Sequence, residues 1–201
     1  MCSLSNIETF RKNNLGNTTT MPKPFFNNNH SKKIEEIIRV NHAGEFGAQK
    51  IYQGQIKYCK NPDDQKILKV MLDQEQKHLE YFSNKIQKGF SRPTIFMPLW
   101  SIGGYLMGAI SAKISLKAAM IVTENVETVI EDHYAKQINY LETHDAKNPM
   151  LDNIKKFQAD EIEHKDTAIT HIQDNSSILD NFLGNCIKTI CRGAIFLSKK
   201  L

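Results

Sequence analysis

Glu75-Gln76-Lys77-His78 and Glu161-Ile162-Glu163-His164 are two copies of one pattern, Glu-x-x-His, placed 86 residues apart. On a helix, residues three apart share a face, so the carboxylate and the imidazole of each pair can reach one metal ion. A further glutamate precedes each pair, Glu45 by 30 residues and Glu127 by 34. The order Glu, Glu-x-x-His, Glu, Glu-x-x-His is the one a four-helix di-iron carboxylate site requires. The pattern therefore predicts an all-α chain whose helices converge on a dinuclear centre.

Helical periodicity supports that reading at each position. Ile34, Ile38, Asn41, Glu45, Ala48 and Tyr52 advance in steps of three and four. So do Leu68, Leu72, Glu75, Leu79 and Phe82, after the turn signal Asn61-Pro62-Asp63-Asp64. A third stripe runs Met120, Thr123, Glu127, Ile130, Tyr134, Gln137 and Leu141. The fourth runs Ile154, Phe157, Glu161, His164, Ala168 and His171, after the break Lys147-Asn148-Pro149. A glutamate on a helix normally faces water. Four on core-facing stripes would be strongly destabilising unless protonated or balanced by cations. Two divalent ions balance four carboxylates, and mixed carboxylate and imidazole ligation without thiolate suits iron or manganese better than structural zinc. Glu80, Glu124, Glu131 and Glu163 fit the stripes less well and are read as solvated or as supports.

The chain has 201 residues, enough for one domain with a sizeable core. Its net charge of +4 lacks the dense Lys/Arg stripe of a nucleic-acid binder but suits an anionic membrane surface. Cys2, Cys59, Cys186 and Cys191 have no metal-binding spacing and are read as inert thiols of a reducing compartment. Residues 1–31 are polar and Asn-rich, and are expected to form a loose leader before a domain spanning 32–201. Between the two halves, Pro93 to Ala112 is a run of 20 residues without a charge. Its length permits a transmembrane helix, although two prolines and three glycines make it a poor regular one. A single span would put the two half-sites on opposite sides of the bilayer. The membrane-associated segment, about 93–119, is therefore expected to leave and return on one face as an interfacial or re-entrant helix. A crossover helix packed on the bundle or at an oligomer interface is the alternative. The tail, with Ile187, Ile190, Ile195, Phe196 and Leu197 among Lys188, Arg192, Lys199 and Lys200, reads as a C-terminal amphipathic helix. It suits a membrane surface or the bundle equally well.

The words around these glutamates resemble one family. Arg39-Val40-Asn41-His42-Ala43-Gly44-Glu45-Phe46-Gly47-Ala48, Ile51-Tyr52-Gln53-Gly54-Gln55, Asp73-Gln74-Glu75, Arg92-Pro93-Thr94 and Met97-Pro98-Leu99-Trp100 are similar to the demethoxyubiquinone hydroxylases, the Coq7-type di-iron monooxygenases of ubiquinone biosynthesis. The likeness continues through His133-Tyr134, Asp160-Glu161-Ile162-Glu163-His164 and Cys191-Arg192-Gly193-Ala194-Ile195-Phe196-Leu197-Ser198. It implies a ferritin-like four-helix bundle holding two irons through Glu45, Glu75, His78, Glu127, Glu161 and His164. Thr123-Glu124-Asn125-Val126-Glu127-Thr128 departs from the usual wording and leaves Glu124 as a rival to Glu127.

The resemblance further implies ring hydroxylation of a demethoxyubiquinone-type polyprenyl quinone, with dioxygen and an external reductant. The expected setting is a peripheral position on the cytoplasmic side of the inner or cell membrane, with other quinone-biosynthesis proteins as candidate partners and no nucleic acid. His133 and Tyr134 become candidates for hydrogen bonding near the irons or for electron delivery, and a satisfied core histidine with a packing tyrosine explains them equally well. His42, His144 and His171 are read as surface or capping residues. Gly44 and Gly47 would let a helix or a substrate approach Glu45. Two other functions fit the same bundle: iron handling or peroxide reduction, and non-catalytic quinone binding.

Overall fold

A computed structural model describes residues 28–172 and 177–200, with side chains from residue 31 onward; the expected leader falls almost wholly outside them. Residues Lys32–Leu201 form one compact unit. Six helices and no strands occur among the described residues: α1 (Asn28–Tyr58), α2 (Pro62–Gln87), α3 (Met97–Ile114), α4 (Leu116–His144), α5 (Leu151–Ile172) and α6 (Ile178–Lys200).

Local chemistry sets the helix boundaries. Asn61 caps α2 by accepting the Asp63 N–H at 2.8 Å, Pro62 sits in the first turn, and Asp63 and Asp64 face the positive end of the helix dipole. Gly89, at φ 78°, turns the chain beyond the α2 terminus in the left-handed region that glycine tolerates. Ser115 caps α4 through the Ala118 N–H at 3.0 Å. Ser177 and Asp180 close a reciprocal box at the head of α6, at 3.1 and 2.8 Å.

α1, α2, α4 and α5 form the four-helix bundle, as two hairpins. α1 and α4 run antiparallel, since Glu45 meets Tyr134 while Tyr52 meets Glu127. α4 and α5 do the same, with Glu131 paired to Lys165 and Glu142 to Lys155. The bundle interior is layered. One apolar layer contains Ile37, Ile38, Phe82, Leu141, Ile154 and Phe157; the other contains Leu68, Met71, Met120 and Ala168. The carboxylates lie between them.

The charge-free stretch is more regular than its composition suggests. α3 is a continuous helix, with Pro98 in its first turn, where a missing N–H costs nothing. Gly104 and Gly108 are its contact face. A Cβ on Gly108 would lie 1.9 Å from the Ile51 carbonyl oxygen, and one on Gly54 of α1 would lie 2.3 Å from the Tyr105 oxygen. The α1 and α3 backbones touch directly, which only glycine permits. The opposite side of α3 carries Leu99, Ile102, Leu106, Ile110 and Ile114, each at least half exposed. No described helix is long and apolar enough to cross a membrane. α6 packs along α4, where Gly184 abuts Asn125 and Ile187 joins Val122 and Val126. It reaches α1 through Arg39, which donates to the Ser198 and Lys199 carbonyls at 3.0 and 2.8 Å.

Candidate metal centre

α1 and α4 each bring one glutamate to the middle of the bundle, and α2 and α5 each bring a Glu-x-x-His pair. The structure gathers Glu45, Glu75, His78 and Glu161 into one set of potential ligand atoms and Glu75, Glu127, Glu161 and His164 into a second; within each set the atoms lie no more than 4.8 Å apart. Glu75 and Glu161 belong to both sets, so each could serve two ions. All six residues are at most 3% exposed. His78 Nδ1 approaches Glu161 at 3.2 Å and Glu45 at 3.5 Å, and His164 Nδ1 approaches both Glu75 and Glu161 at 3.3 Å. Glu127 rather than Glu124 enters the cluster; Glu124 is half-buried and accepts from Asn125 at 3.1 Å. Glu80 and Glu163 are exposed, and Glu131 pairs with Lys165.

The atoms facing the cluster centre lack ordinary partners. Both oxygens of Glu75 and of Glu161, one of Glu127, and Nδ1 of both histidines are buried without a hydrogen bond. Such atoms are destabilising unless something accepts their lone pairs. Two divalent cations would satisfy them and neutralise the four carboxylates, so the donor set fits a dinuclear metal site. Without cations the charges conflict. Burial, then the charges of Glu161 and Glu45, push Glu75 well above the usual carboxylate range; burial and Glu161 do the same to Glu127. Burial also works against the charge on Glu161, but the close approach of the His164 and His78 imidazoles outweighs it and holds that carboxyl at about 2. For His78 burial opposes protonation, yet the Glu161 and Glu45 carboxylates close to Nδ1 carry it up to about 12.

The support around the cluster follows an internal two-fold. Tyr134 donates its hydroxyl to Glu45, and Tyr52 donates to Glu127 at 2.8 Å. Each tyrosine lies seven residues after the glutamate of its own helix and holds that of the other. Ten residues after each glutamate stands a buried glutamine, and four before it a buried polar residue. Gln137 exchanges two hydrogen bonds with Asn41, at 2.7 and 2.8 Å, and Gln55 donates to Thr123 at 3.2 Å. The histidines are held alike: His78 Nε2–H donates to Asp160 and His164 Nε2–H to Gln74, both at 2.9 Å. A proton on Nε2 leaves the Nδ1 lone pair free to face the cluster. The Phe157 ring, 4.2 Å from that of His78, fixes the imidazole further.

Sequence reasoning missed Tyr52, Gln55, Gln74 and Asp160 as supports. The signal was present, because Gln74 and Asp160 each precede the glutamate of a pair, and the offsets around Glu45 and Glu127 repeat. The two neighbours His133 and Tyr134 part company. Tyr134 touches Glu45, whereas His133 meets Gln137 at 2.7 Å and reaches the cluster only through side chains that support it. Burial, with Lys199 and Lys33 nearby, lowers His133 to about 4, so it is neutral. His42 departs from its expected surface role: it is half-buried, with Nδ1 buried and unpartnered. His144 lies exposed near the end of α4 and meets the Tyr140 carbonyl at 3.0 Å; His171, half-buried, meets the Thr167 carbonyl at 2.8 Å.

A cavity of about 380 Å³ is walled by α1, α3, α4 and α6 and is almost entirely apolar. Gly44 and Ala48 from α1 and Val126 and Ile130 from α4 form its inner wall. These residues flank Glu45 and Glu127 in sequence. Gly44 and Gly47 thus serve the cavity: a Cβ at Gly44 would meet only Ile130, at 3.8 Å, and one at Gly47 would meet nothing within 4 Å. Leu99 of α3 and Ile190 of α6, each 54% exposed, bring the cavity rim to the surface beside the apolar row of α3.

Residues 32–198 match the family described as ubiquinone biosynthesis protein COQ7. The chain is 37% identical over 196 residues to the NADPH-dependent 3-demethoxyubiquinone 3-hydroxylase, mitochondrial, of Dictyostelium discoideum, covering 94% of this chain and 90% of that protein. It is 39% identical to the 5-demethoxyubiquinone hydroxylase, mitochondrial, of Saccharomyces cerevisiae, over 84% of this chain and 78% of the other. Identity to the 3-demethoxyubiquinol 3-hydroxylase of Rhodospirillum rubrum is 33%, again over 84% and 78%.

Proposed function

The chain belongs to the ubiquinone biosynthesis COQ7 family, and on that premise we propose that it hydroxylates the ring of a demethoxyubiquinone-type polyprenyl quinone or quinol, with dioxygen as co-substrate and two irons held by Glu45, Glu75, His78, Glu127, Glu161 and His164. This is a late step of ubiquinone biosynthesis. The observation that carries the reading is an apolar cavity, with room for a flat lipophilic ring, whose lining residues Gly44, Ala48, Val126 and Ile130 neighbour Glu45 and Glu127 in sequence on the two helices that supply those ligands. Iron handling or peroxide reduction requires no such cavity.

When bound, the irons supply the activation of dioxygen that ring hydroxylation requires. The protein's own residues do the rest. Glu45, Glu75, His78 and Glu161 would hold one ion, and Glu75, Glu127, Glu161 and His164 the other. Tyr134 and Tyr52 hold Glu45 and Glu127 by hydroxyl donation, which limits reorientation of the carboxylates. The apolar walls exclude bulk water and align the ring. The rim between α3 and α6 leaves an exit for an isoprenoid tail, and the exposed row from Leu99 to Ile114 rests on the membrane surface from which such a substrate comes. The reductant is of the nicotinamide class, as in the name of the Dictyostelium relative.

Deletion of the protein should make the demethoxy precursor accumulate in the quinone pool, and restoring the gene should clear it. With reductant and oxygen-18 gas, the new hydroxyl should carry the heavy isotope. Label entering from water, or an unchanged quinone pool, would reject the hydroxylase reading and favour iron handling.

A further inference from the structure

The near-perfect two-fold of the centre makes a break in charge behind its histidines informative. Glutamates, histidines, tyrosines and glutamines correspond in pairs across α1 and α4 and across α2 and α5. The histidine partners do not. His78 Nε2–H donates to the carboxylate of Asp160, whereas His164 Nε2–H donates to the amide oxygen of Gln74. Both contacts are 2.9 Å, so the difference lies in charge and not in geometry. A carboxylate behind an imidazole increases its electron donation to a metal; an amide does so much less.

We infer that the two metal positions are unequal, and that the position of His78 and Glu45, backed by Asp160, binds the tighter ion and fills first. The inference rests on reading the six residues as a dinuclear centre. Removing such a supporting partner typically lowers metal affinity about 10- to 100-fold. Asp160 is 22% exposed, so water screens part of its charge and the difference belongs near the lower end, about tenfold. Asp160 and Gln74 are positioning residues, acting through the histidines they hold.

The test is anaerobic titration of the full chain with Mn(II), counting free ion by its paramagnetic resonance signal. His164→Ala retains the His78 position and His78→Ala retains the other. The first variant should bind Mn(II) about tenfold more tightly than the second. Asp160→Asn added to His164→Ala should erase that advantage, and Asp160→Glu should preserve it. Gln74→Glu added to His78→Ala should raise affinity about tenfold, a gain that a merely structural role would not produce. If the single-histidine variants fail to fold, Asp160→Asn alone should weaken the first binding step, and Gln74→Glu alone should strengthen the second. Equal affinities, the reverse order, or indifference to Asp160→Asn would overturn the inequality while leaving the dinuclear site intact. No Mn(II) binding to the native chain would overturn both.

Discussion

Glu75→Gln should make the metal-free protein more stable while removing its response to metal. Glu75 is 1% exposed, and burial followed by the charges of Glu161, Glu45 and Glu127 holds its carboxyl well above the ordinary range. Glu127 is raised in the same way, by burial and then by Glu161. A carboxyl raised on folding keeps its proton longer in the native than in the unfolded state. Its stabilising contribution is therefore complete below the unfolded value, about 4.3, and is lost as pH rises through the folded one. His78, carried up to about 12, adds a contribution that is lost only above the unfolded histidine value of about 6.5. Glu161 has the opposite sign: held at about 2, its contribution is lost only as pH falls below the unfolded carboxylate value, and is constant from pH 5 to 8.

One proton of difference contributes about 1.4 kcal/mol per pH unit. Held from pH 5 to pH 7, it removes about 2.7 kcal/mol from the metal-free protein, or about 5–11 °C in melting temperature for a domain of this size. Metal reverses the slope, because its ligands must be deprotonated and its stabilisation therefore grows with pH. Glutamine keeps the size of Glu75 without its charge. In chelator at pH 7, Glu75→Gln should melt about 3–10 °C above the native chain, with a flatter pH dependence. Ferrous iron, added anaerobically, should raise the native melting temperature and leave the variant's almost unchanged. Melting followed by circular dichroism between pH 5 and 8 decides the matter. A metal-free native chain that becomes more stable as pH rises, or a Glu75→Gln variant less stable than native in chelator at pH 7, would refute the reasoning.

Further substitutions probe the other parts. His78→Ala or Glu161→Ala should lower iron content below the two ions per chain expected of the native protein and abolish ring hydroxylation, read by elemental analysis and product mass; full turnover by a metal-free preparation would defeat the assignment. Gly108→Ala, whose Cβ would fall 1.9 Å from the Ile51 oxygen, should destabilise the chain by about 1–3 kcal/mol in a denaturant titration by forcing α3 off α1. Leu106→Lys or Ile110→Lys should weaken binding to liposomes roughly tenfold or more, by losing about 1.5–3 kcal/mol of apolar burial, with iron content unchanged. Unaltered partition of both variants would show that the exposed row of α3 does not face lipid.

Much of the centre was legible in the sequence because helical periodicity is a local code. Once Glu45, Glu75, His78, Glu127, Glu161 and His164 fall on apolar stripes, the only way to bury those stripes together brings the six residues into one interior. The order of the glutamates and of Glu-x-x-His was enough for the bundle, and the surrounding words were enough for the family. Tertiary structure decided what depends on pairing between helices. Tyr134 supports Glu45 and not the glutamate of its own helix, and Tyr52 does the converse, because α1 and α4 run antiparallel. His133, adjacent to Tyr134 in sequence, points about 100° away around the helix and meets Gln137 instead. The glycines of the charge-free stretch read as helix breakers, since propensity counts only the backbone; in the fold two of them, Gly104 and Gly108, are where α3 meets α1 with no room for a side chain. The cavity could not be read from the sequence at all, because its walls come from four helices and its shape is set by how closely those glycines let α3 approach.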